Sequence, residues 1–301
     1  MATAPTLAPS YEWYLGDNYE TITAVHIVDS YNQNLVPSGA TLVDSWAVDA
    51  DGTGAIMCYE FSDSTVILAG NGSGKIFANA DSTYFMDSFA DLATITGLEI
   101  LDTSRVTNMS RMFSGCTTLT ELDLSSWNTS SVTDMSQMFY GASRLTTVNV
   151  GGFDTSRVTN MSAMFRNCAA LTDLDVSSFS TASVSSSSSM EYFAYNCPAL
   201  TTIVLGKNFI HATNILPAAG QRGKGMFCAS SSVETTVKGA NDIMLAYDWS
   251  GDRRTVTFVG IKYMIDEYTL VGIANAIREV TGTSEKITPL MMPDKIRSIK
   301  T

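Results

Sequence analysis

The sequence predicts a mainly β fold with short helices: a solenoid of about four 26-residue repeats, closed by β-rich caps and followed by a C-terminal helical hairpin. Three observations carry this expectation. Phrases beginning at Thr103, Thr129, Thr155 and Thr181 follow one another at steps of 26 residues. Each contains a short apolar alternation of strand type. Beyond residue 261 the apolar spacing changes to that of an amphipathic helix.

The repeats read "TSRVTNMSRMFSGCTTLTELDLSSWN", "TSSVTDMSQMFYGASRLTTVNVGGFD" and "TSRVTNMSAMFRNCAALTDLDVSSFS", then "TASVSSSSSMEYFAYNCPALTTIVLGKNF". In the fourth, the serine run Ser185 to Ser189 displaces the register by three, so that Met161 matches Met190, Cys168 matches Cys197 and Leu171 matches Leu200 at 29 residues. The run is therefore an enlarged loop inside a continuing repeat, not a linker. A weaker half-copy precedes the array, with Phe89, Ile95, Leu98 and Ile100 set against Phe113, Leu119, Leu122 and Leu124 at a step of 24.

Within a unit, Leu119, Leu122 and Leu124 define a strand with one buried face, as do Leu145, Val148 and Val150 and then Leu171, Leu174 and Val176. Val106, Met109, Met112 and Phe113 are close to helical spacing and predict a helical or 3₁₀ turn. The repeat core is expected to comprise Met109, Met112, Phe113, Leu119, Leu122 and Leu124. In the next copies the same core is Met135, Met138, Phe139 and Leu145, then Met161, Met164, Phe165 and Leu171. Trp127, Phe153 and Phe179 should lie one above another, and Asp102, Asn128 and Asp154 supply turn and N-cap chemistry. One unit cannot close its own core, so neighbours must stack.

At these residues the chain resembles the bacterial surface protein 26-residue repeat of BspA-like, leucine-rich-repeat type, found in bacterial surface proteins and in virion proteins of phages that infect such bacteria. The resemblance covers roughly residues 85 to 210 through its TS-x-V-T-x-M-x-x-M-F core. It implies a leucine-rich-repeat-like solenoid used for adhesion and supplies no catalytic residues. The closing "YTLVGIANAIREVTGTSEKITPLMMPDKIRSI" is similar to a segment of tail and other structural proteins of phages of Gram-positive bacteria. The opening "WYLGDNYETITAVHIVDSYN" looks like the lead-in to such repeats in phage proteins.

Four regions follow. Residues 1–84 form an N-terminal β-rich region and cap, with "TITAVHIV", "AIMCYEF" and "TVILAG" as strands between "DADGTG" and "GNGSG" turns. Residues 85–210 are the repeats. Residues 211–260 form a β-hairpin cap in which "NDIMLAYDW" and "TVTFVG" flank "SGDRR". Residues 261–301 form a docking hairpin: Leu270, Ile273, Ala274 and Ile277 make an apolar stripe, and a second short helix carries Ile296 and Ile299. Such a pair is too small to stand alone, so it is expected to dock on a partner chain or on the virion.

Composition narrows the function classes. Thirty acidic against eighteen basic residues leave a net charge of −12, which argues against nucleic-acid binding. The five cysteines, Cys58, Cys116, Cys168, Cys197 and Cys228, form no CxxC pair and are expected to be buried, reduced thiols. No export signal and no membrane span are apparent.

Motifs that suggest chemistry fail on inspection. "GNGSGKI" departs from a P-loop because Ala69 stands where its first glycine belongs and Ile76 follows Lys75. His26 lies in a strand-type run, and neither it nor His211 sits near a nucleophile phrase. Asp123 and Asp175 fall at outward strand positions rather than forming a hydrolytic pair. The Asn-x-Ser sequons at Asn108, Asn128 and Asn160 recur because the turn recurs, and the calcium-binding Gly-rich repeat is absent. The chain is thus expected to be no enzyme, with no cofactor and no metal site.

What varies between copies is informative. Arg111, Gln137, Ala163 and Glu191 are aligned at one position, and Ser114, Tyr140, Arg166 and Tyr195 at another, amid neighbours that barely change. Facing outward together they would make a stripe of Tyr and Arg, residue types suited to binding. The expectation is a phage virion structural protein, a tail-fibre or receptor-binding component that adheres to a bacterial cell-surface receptor, protein or glycan. Other virion proteins and further copies of itself would be its partners. Alternatives are a head or baseplate decoration and a cellular surface adhesin. The expected location is the virion tail or surface, after synthesis in the host cytoplasm.

Overall fold

The computed structural model describes residues 3–9, 19–200, 202–205, 208–209, 227–228, 236–238 and 257–259. Before the repeats, β1 (Ala24–Val28), β2 (Leu42–Ala47), β3 (Met57–Phe61), β4 (Thr65–Ala69) and β5 (Ile76–Phe77) form in sequence. The first repeat-like segment adds β6 (Thr94–Thr96) and β7 (Leu101–Asp102), and the repeats contribute β8 (Glu121–Asp123), β9 (Thr147–Asn149) and β10 (Asp173–Val176). Then come β11 (Ala194–Tyr195), β12 (Thr202–Leu205), β13 (Phe227–Cys228), β14 (Thr236–Lys238) and β15 (Thr257–Val259).

A five-stranded sheet runs β2-β3-β4-β1-β6, with β2, β3 and β4 antiparallel and β1 parallel to both β4 and β6. The β-branched runs expected as strands are β1, β3 and β4. Strand β4 is buried along its whole length because it sits inside the sheet with both faces covered. "LVDSWA", not anticipated as a strand, is β2; its residues are mostly exposed, so the alternation that marks a half-buried strand is missing. The tight join at Gly97 explains how β6 reaches β1: its φ is +79°, and a Cβ there would lie 1.8 Å from the Ile27 carbonyl oxygen. The remaining strands pair in parallel: β5 with β7, β8 with β9, β11 with β13, and β10-β12-β14-β15 in one sheet.

The expected fold class is therefore corrected. Among the described residues there is no α-helix, only 3₁₀ turns at Tyr19–Thr21, Gln33–Leu35 and Ser187–Met190. The described strands gather into five separate sheets of two to five strands, not into a leucine-rich-repeat-like solenoid with helices. The helical hairpin expected over Leu270, Ile273, Ile277, Ile296 and Ile299 lies outside the described residues. In the 211–260 region, β15 pairs in parallel with β14; "NDIMLAYDW" lies outside the described residues.

The helical expectation over "VTNMSRMF" fails for a specific reason. The N–H groups alternate: those of Met109, Arg111, Phe113 and Gly115 donate forward to the carbonyls of Asp134, Ser136, Met138 and Tyr140 in the next repeat, at 2.8–2.9 Å. Those of Met112, Ser114 and Cys116 close local turns on Met109, Arg111 and Phe113. Left-handed backbone at Arg111 (φ 57°) and Gly115 (φ 73°) produces this alternation, which an α-helix cannot contain. The apolar spacing of about three comes from successive turns. The half-copy also aligns differently from expectation: the Ser82, Tyr84, Met86 and Ser88 N–H groups donate to Asn108, Ser110, Met112 and Ser114. Asp81 bridges Asn108, so the step is 27 and Phe89 stands with Cys116. Apolar residues three apart made a register slip of three equally plausible from pattern alone.

One apolar cluster extends from Leu7 through the repeats to Phe209, and it contains every expected core residue from Met109 to Leu171 in buried form. The Phe113, Phe139 and Phe165 rings stack at 5.9 and 5.1 Å, and Phe153 on Phe179 at 6.2 Å. Trp127 leans on Phe113 instead and donates its indole N–H to the Leu98 carbonyl at 3.1 Å. Cys116, Cys168 and Cys197 are free, and each thiol lies 3.0–3.1 Å from a carbonyl of the preceding repeat. The side chain of Cys228 lies outside the described residues.

Three polar columns alternate in charge along the repeats: Asp81, Asn108, Asp134 and Asn160; Asp102, Asn128 and Asp154; Asp123, Asn149 and Asp175. Each closes a turn by accepting the N–H two residues on, as at Ser104, Ser110, Ser136 and Ser162. The sequons at Asn108, Asn128 and Asn160 are these turns. Rungs of parallel backbone stand about 4.8 Å apart, so alternation sets each carboxylate beside an amide. The Asn160 side chain donates to the Asp134 carboxylate at 3.1 Å.

Candidate binding surface

The two variable positions of the repeat occupy neighbouring columns on the turn side. The first column is Tyr84, Arg111, Gln137, Ala163 and Tyr192, all with left-handed φ between 54° and 65°. Sequence alignment placed Glu191 in this column. The structure corrects that: Glu191 accepts the Ala163 N–H through its carbonyl, as Ser136 and Ser162 do for Arg111 and Gln137, so Tyr192 is the true equivalent. The Ser185 to Ser189 insertion hid the one-residue slip. A second left-handed column four residues on holds Ser88, Gly115, Gly141, Asn167 and Asn196, which include the residue types that adopt this conformation at little cost. The first column holds Arg, Gln and Tyr instead, each costing about 1–2 kcal/mol there.

The other variable column is Asp87, Ser114, Tyr140, Arg166 and Tyr195 by register with the same ladder. Ser114 and Ala163 are buried, whereas Arg111, Gln137, Tyr140, Arg166, Tyr192 and Tyr195 are half-buried. The predicted stripe therefore divides into two clusters. At one end Arg111 lies over the Tyr84 ring at 5.2 Å and pairs through Nε with the Asp87 carboxylate at 3.4 Å. At the other, the Arg166 guanidinium lies 4.5 Å from the Tyr192 ring centre, 5.5 Å from Tyr195 and 5.7 Å from Tyr140. Tyr192 and Tyr195 meet edge to face at 5.1 Å. Neither Tyr84 nor Tyr192 was anticipated; a tyrosine recurring at 27 and 29 residues from the array positions was the missed signal.

Arg166 lies among aromatic rings. Its Nε is buried without a hydrogen-bond partner, and neither ion pair among the described residues involves it. Three ring contacts at about 0.5–1 kcal/mol each roughly offset an orphaned donor that costs about 1–3 kcal/mol. The arginine is thus close to neutral for stability, and its charge remains available.

Other polar features are structural. His26 Nδ1 lies 2.7 Å from the Thr96 hydroxyl within the five-stranded sheet, and burial, opposed by Asp63, lowers its pKa. Around "GNGSGKI", Gly74 donates its N–H to the Asp29 carboxylate, and Lys75 pairs with Asp102 at 2.9 Å. Asp123 and Asp175 are exposed. A groove on the strand side is lined by Glu99, Glu121 and Asp123 with Thr147 and Asn149. Among the described residues no group of three or more His, Cys, Asp or Glu side chains could hold a metal ion, and no helix is long and apolar enough to cross a membrane. His211 lies outside the described residues.

No curated protein and no solved structure matches the chain. Residues 83–201, the segment that carries both variable columns, match the family described as "Mycoplasma protein of unknown function, DUF285", and so fit a BspA-like repeat protein in general.

Proposed function

We propose that the chain is a non-enzymatic attachment protein, a phage virion component of tail-fibre or receptor-binding type that adheres to a bacterial cell surface through the two variable columns. The observation that carries this reading is the first column. On a frame whose core barely changes, positions with left-handed backbone hold Tyr84, Arg111, Gln137 and Tyr192, so their side chains are retained against backbone preference. Half-buried Tyr and Arg are the types that concentrate binding energy. The phage assignment is supported by the resemblance of the C-terminal segment to phage structural proteins. The family description, which names a Mycoplasma protein, favours a second reading as a cellular surface adhesin; both readings place the contact on the same columns.

The test is binding of the fluorescently labelled full chain to a panel of Gram-positive bacteria, beside a Gln137→Ala/Tyr140→Ser double variant with an unchanged unfolding midpoint. Strain-selective binding weakened by the variant supports adhesion through the columns. Absence of binding on every strain by folded protein overturns it and leaves an architectural role in the particle.

A further inference from the structure

The two arginine clusters of the turn columns differ in one respect. Arg111, over Tyr84, has its counter-anion within the chain: Asp87 stands one repeat back in the neighbouring column, 3.4 Å from Nε. Arg166 repeats the arrangement over Tyr140, Tyr192 and Tyr195, but the positions flanking it in its own column are the tyrosines Tyr140 and Tyr195, not a carboxylate. Its Nε has no hydrogen-bond partner, and among the described residues it enters neither ion pair. A planar fork oriented by rings on several sides and lacking an oxyanion is a preformed half of a bidentate contact. The half-buried rings beside it offer flat faces for the C–H surface of a sugar or glycerol unit.

We propose that Arg166, framed by Tyr140, Tyr192 and Tyr195, is a subsite for the oxyanion of an acidic surface polymer, a carboxylate or phosphodiester carried next to an apolar face. This rests on the reading of the columns as a binding surface and names the chemistry they take. The chain's net charge of −12 repels polyanions at long range, so attraction here is local and is not a general basic-patch effect.

The experiment is titration calorimetry of the full chain with trigalacturonate, with a short poly(glycerol phosphate), and with neutral maltotriose, repeated on Arg166→Gln and Arg166→Lys. Unfolding midpoints confirm that the variants are folded. Expected is binding of at least one acidic oligomer, at least tenfold tighter than maltotriose, weakened at least tenfold in Arg166→Gln and partly restored in Arg166→Lys. Preference between the two acidic ligands identifies the oxyanion, and either preference supports the subsite. No binding of either acidic oligomer, or equal binding by Arg166→Gln, overturns it. The same variants on whole cells separate the two claims. Cell binding that survives while the oligomers fail sinks the subsite and leaves adhesion standing; oligomer binding lost in Arg166→Gln without cell binding does the reverse.

Discussion

Replacing Asn160 by Asp tests whether charge alternation holds the repeats in register. The substitution keeps the acceptor that closes the turn on the Ser162 N–H but converts a donor to Asp134, at 3.1 Å, into a second carboxylate. Two charges about 4.8 Å apart repel by about 1 kcal/mol in water and by about 3.5 kcal/mol at an effective dielectric constant of 20. Both residues are half-buried, so the value falls between these limits. Loss of the charge-assisted hydrogen bond adds about 1 kcal/mol or more, partly relieved by side-chain rotation. Urea unfolding at pH 7 should show Asn160→Asp destabilised by about 2 kcal/mol, and Asn160→Ser, which removes the donor without adding charge, by about 1 kcal/mol. The sign of the pH dependence is definite. Repulsion requires both carboxylates ionised, so the native variant binds protons more readily than its unfolded chain, and the extra penalty must shrink as the pH falls toward about 4. An Asn160→Asp variant as stable as Asn160→Ser at pH 7, or a penalty that grows on acidification, would refute the reasoning.

Phe139→Ala removes a ring fully buried between Phe113 and Phe165 and should cost about 3–5 kcal/mol, read as a fall in the urea midpoint. Burial raises the thiol pKa of Cys58, Cys116 and Cys168, and that of Cys197 to about 12. In a Cys228→Ser background, thiol modification at pH 8 should therefore proceed at the rate of unfolding, with no fast phase. Burial alone would raise the Asp49 carboxyl, but the hydrogen bonds it accepts from the Thr53 hydroxyl and N–H outweigh it and hold the value at about 2. Its stabilisation should be complete above about pH 4 and lost as the pH falls toward about 2. The stability difference between wild type and Asp49→Asn, measured by thermal unfolding, should shrink over that window.

The sequence exposed the period of the repeats, because the Thr-Ser-x-Val-Thr phrase and the apolar alternation recur together and no other arrangement buries Leu119, Leu145 and Leu171 alike. It also exposed β1, β3 and β4 through their β-branched runs. It misled where two backbone geometries share one apolar spacing: Val106, Met109, Met112 and Phe113 fit a helix as well as a chain of turns. The deciding signal was the Gly/Asn column of Gly115, Gly141, Asn167 and Asn196, residue types that accept left-handed backbone. Of the candidate surface, the variable columns were legible as positions. The split into an Arg111 pair and an Arg166 cluster was not, since it depends on Tyr84 and Tyr192, whose register only the hydrogen-bond ladder reveals. Burial of Ser114 and Ala163 was hidden for the same reason.

The alternation of Asp and Asn also bears on how such a chain can change length. Geometrically, any one repeat can follow any other. Chemically it cannot: excising a single repeat would bring Asp102 onto Asp154, Asp123 onto Asp175 and Asn108 onto Asn160, exchanging mixed neighbours for like ones in every column. Excising or duplicating two together restores the pattern. The unit in which this gene segment can be lengthened or shortened without electrostatic penalty is therefore a pair of repeats, twice the unit that the backbone defines.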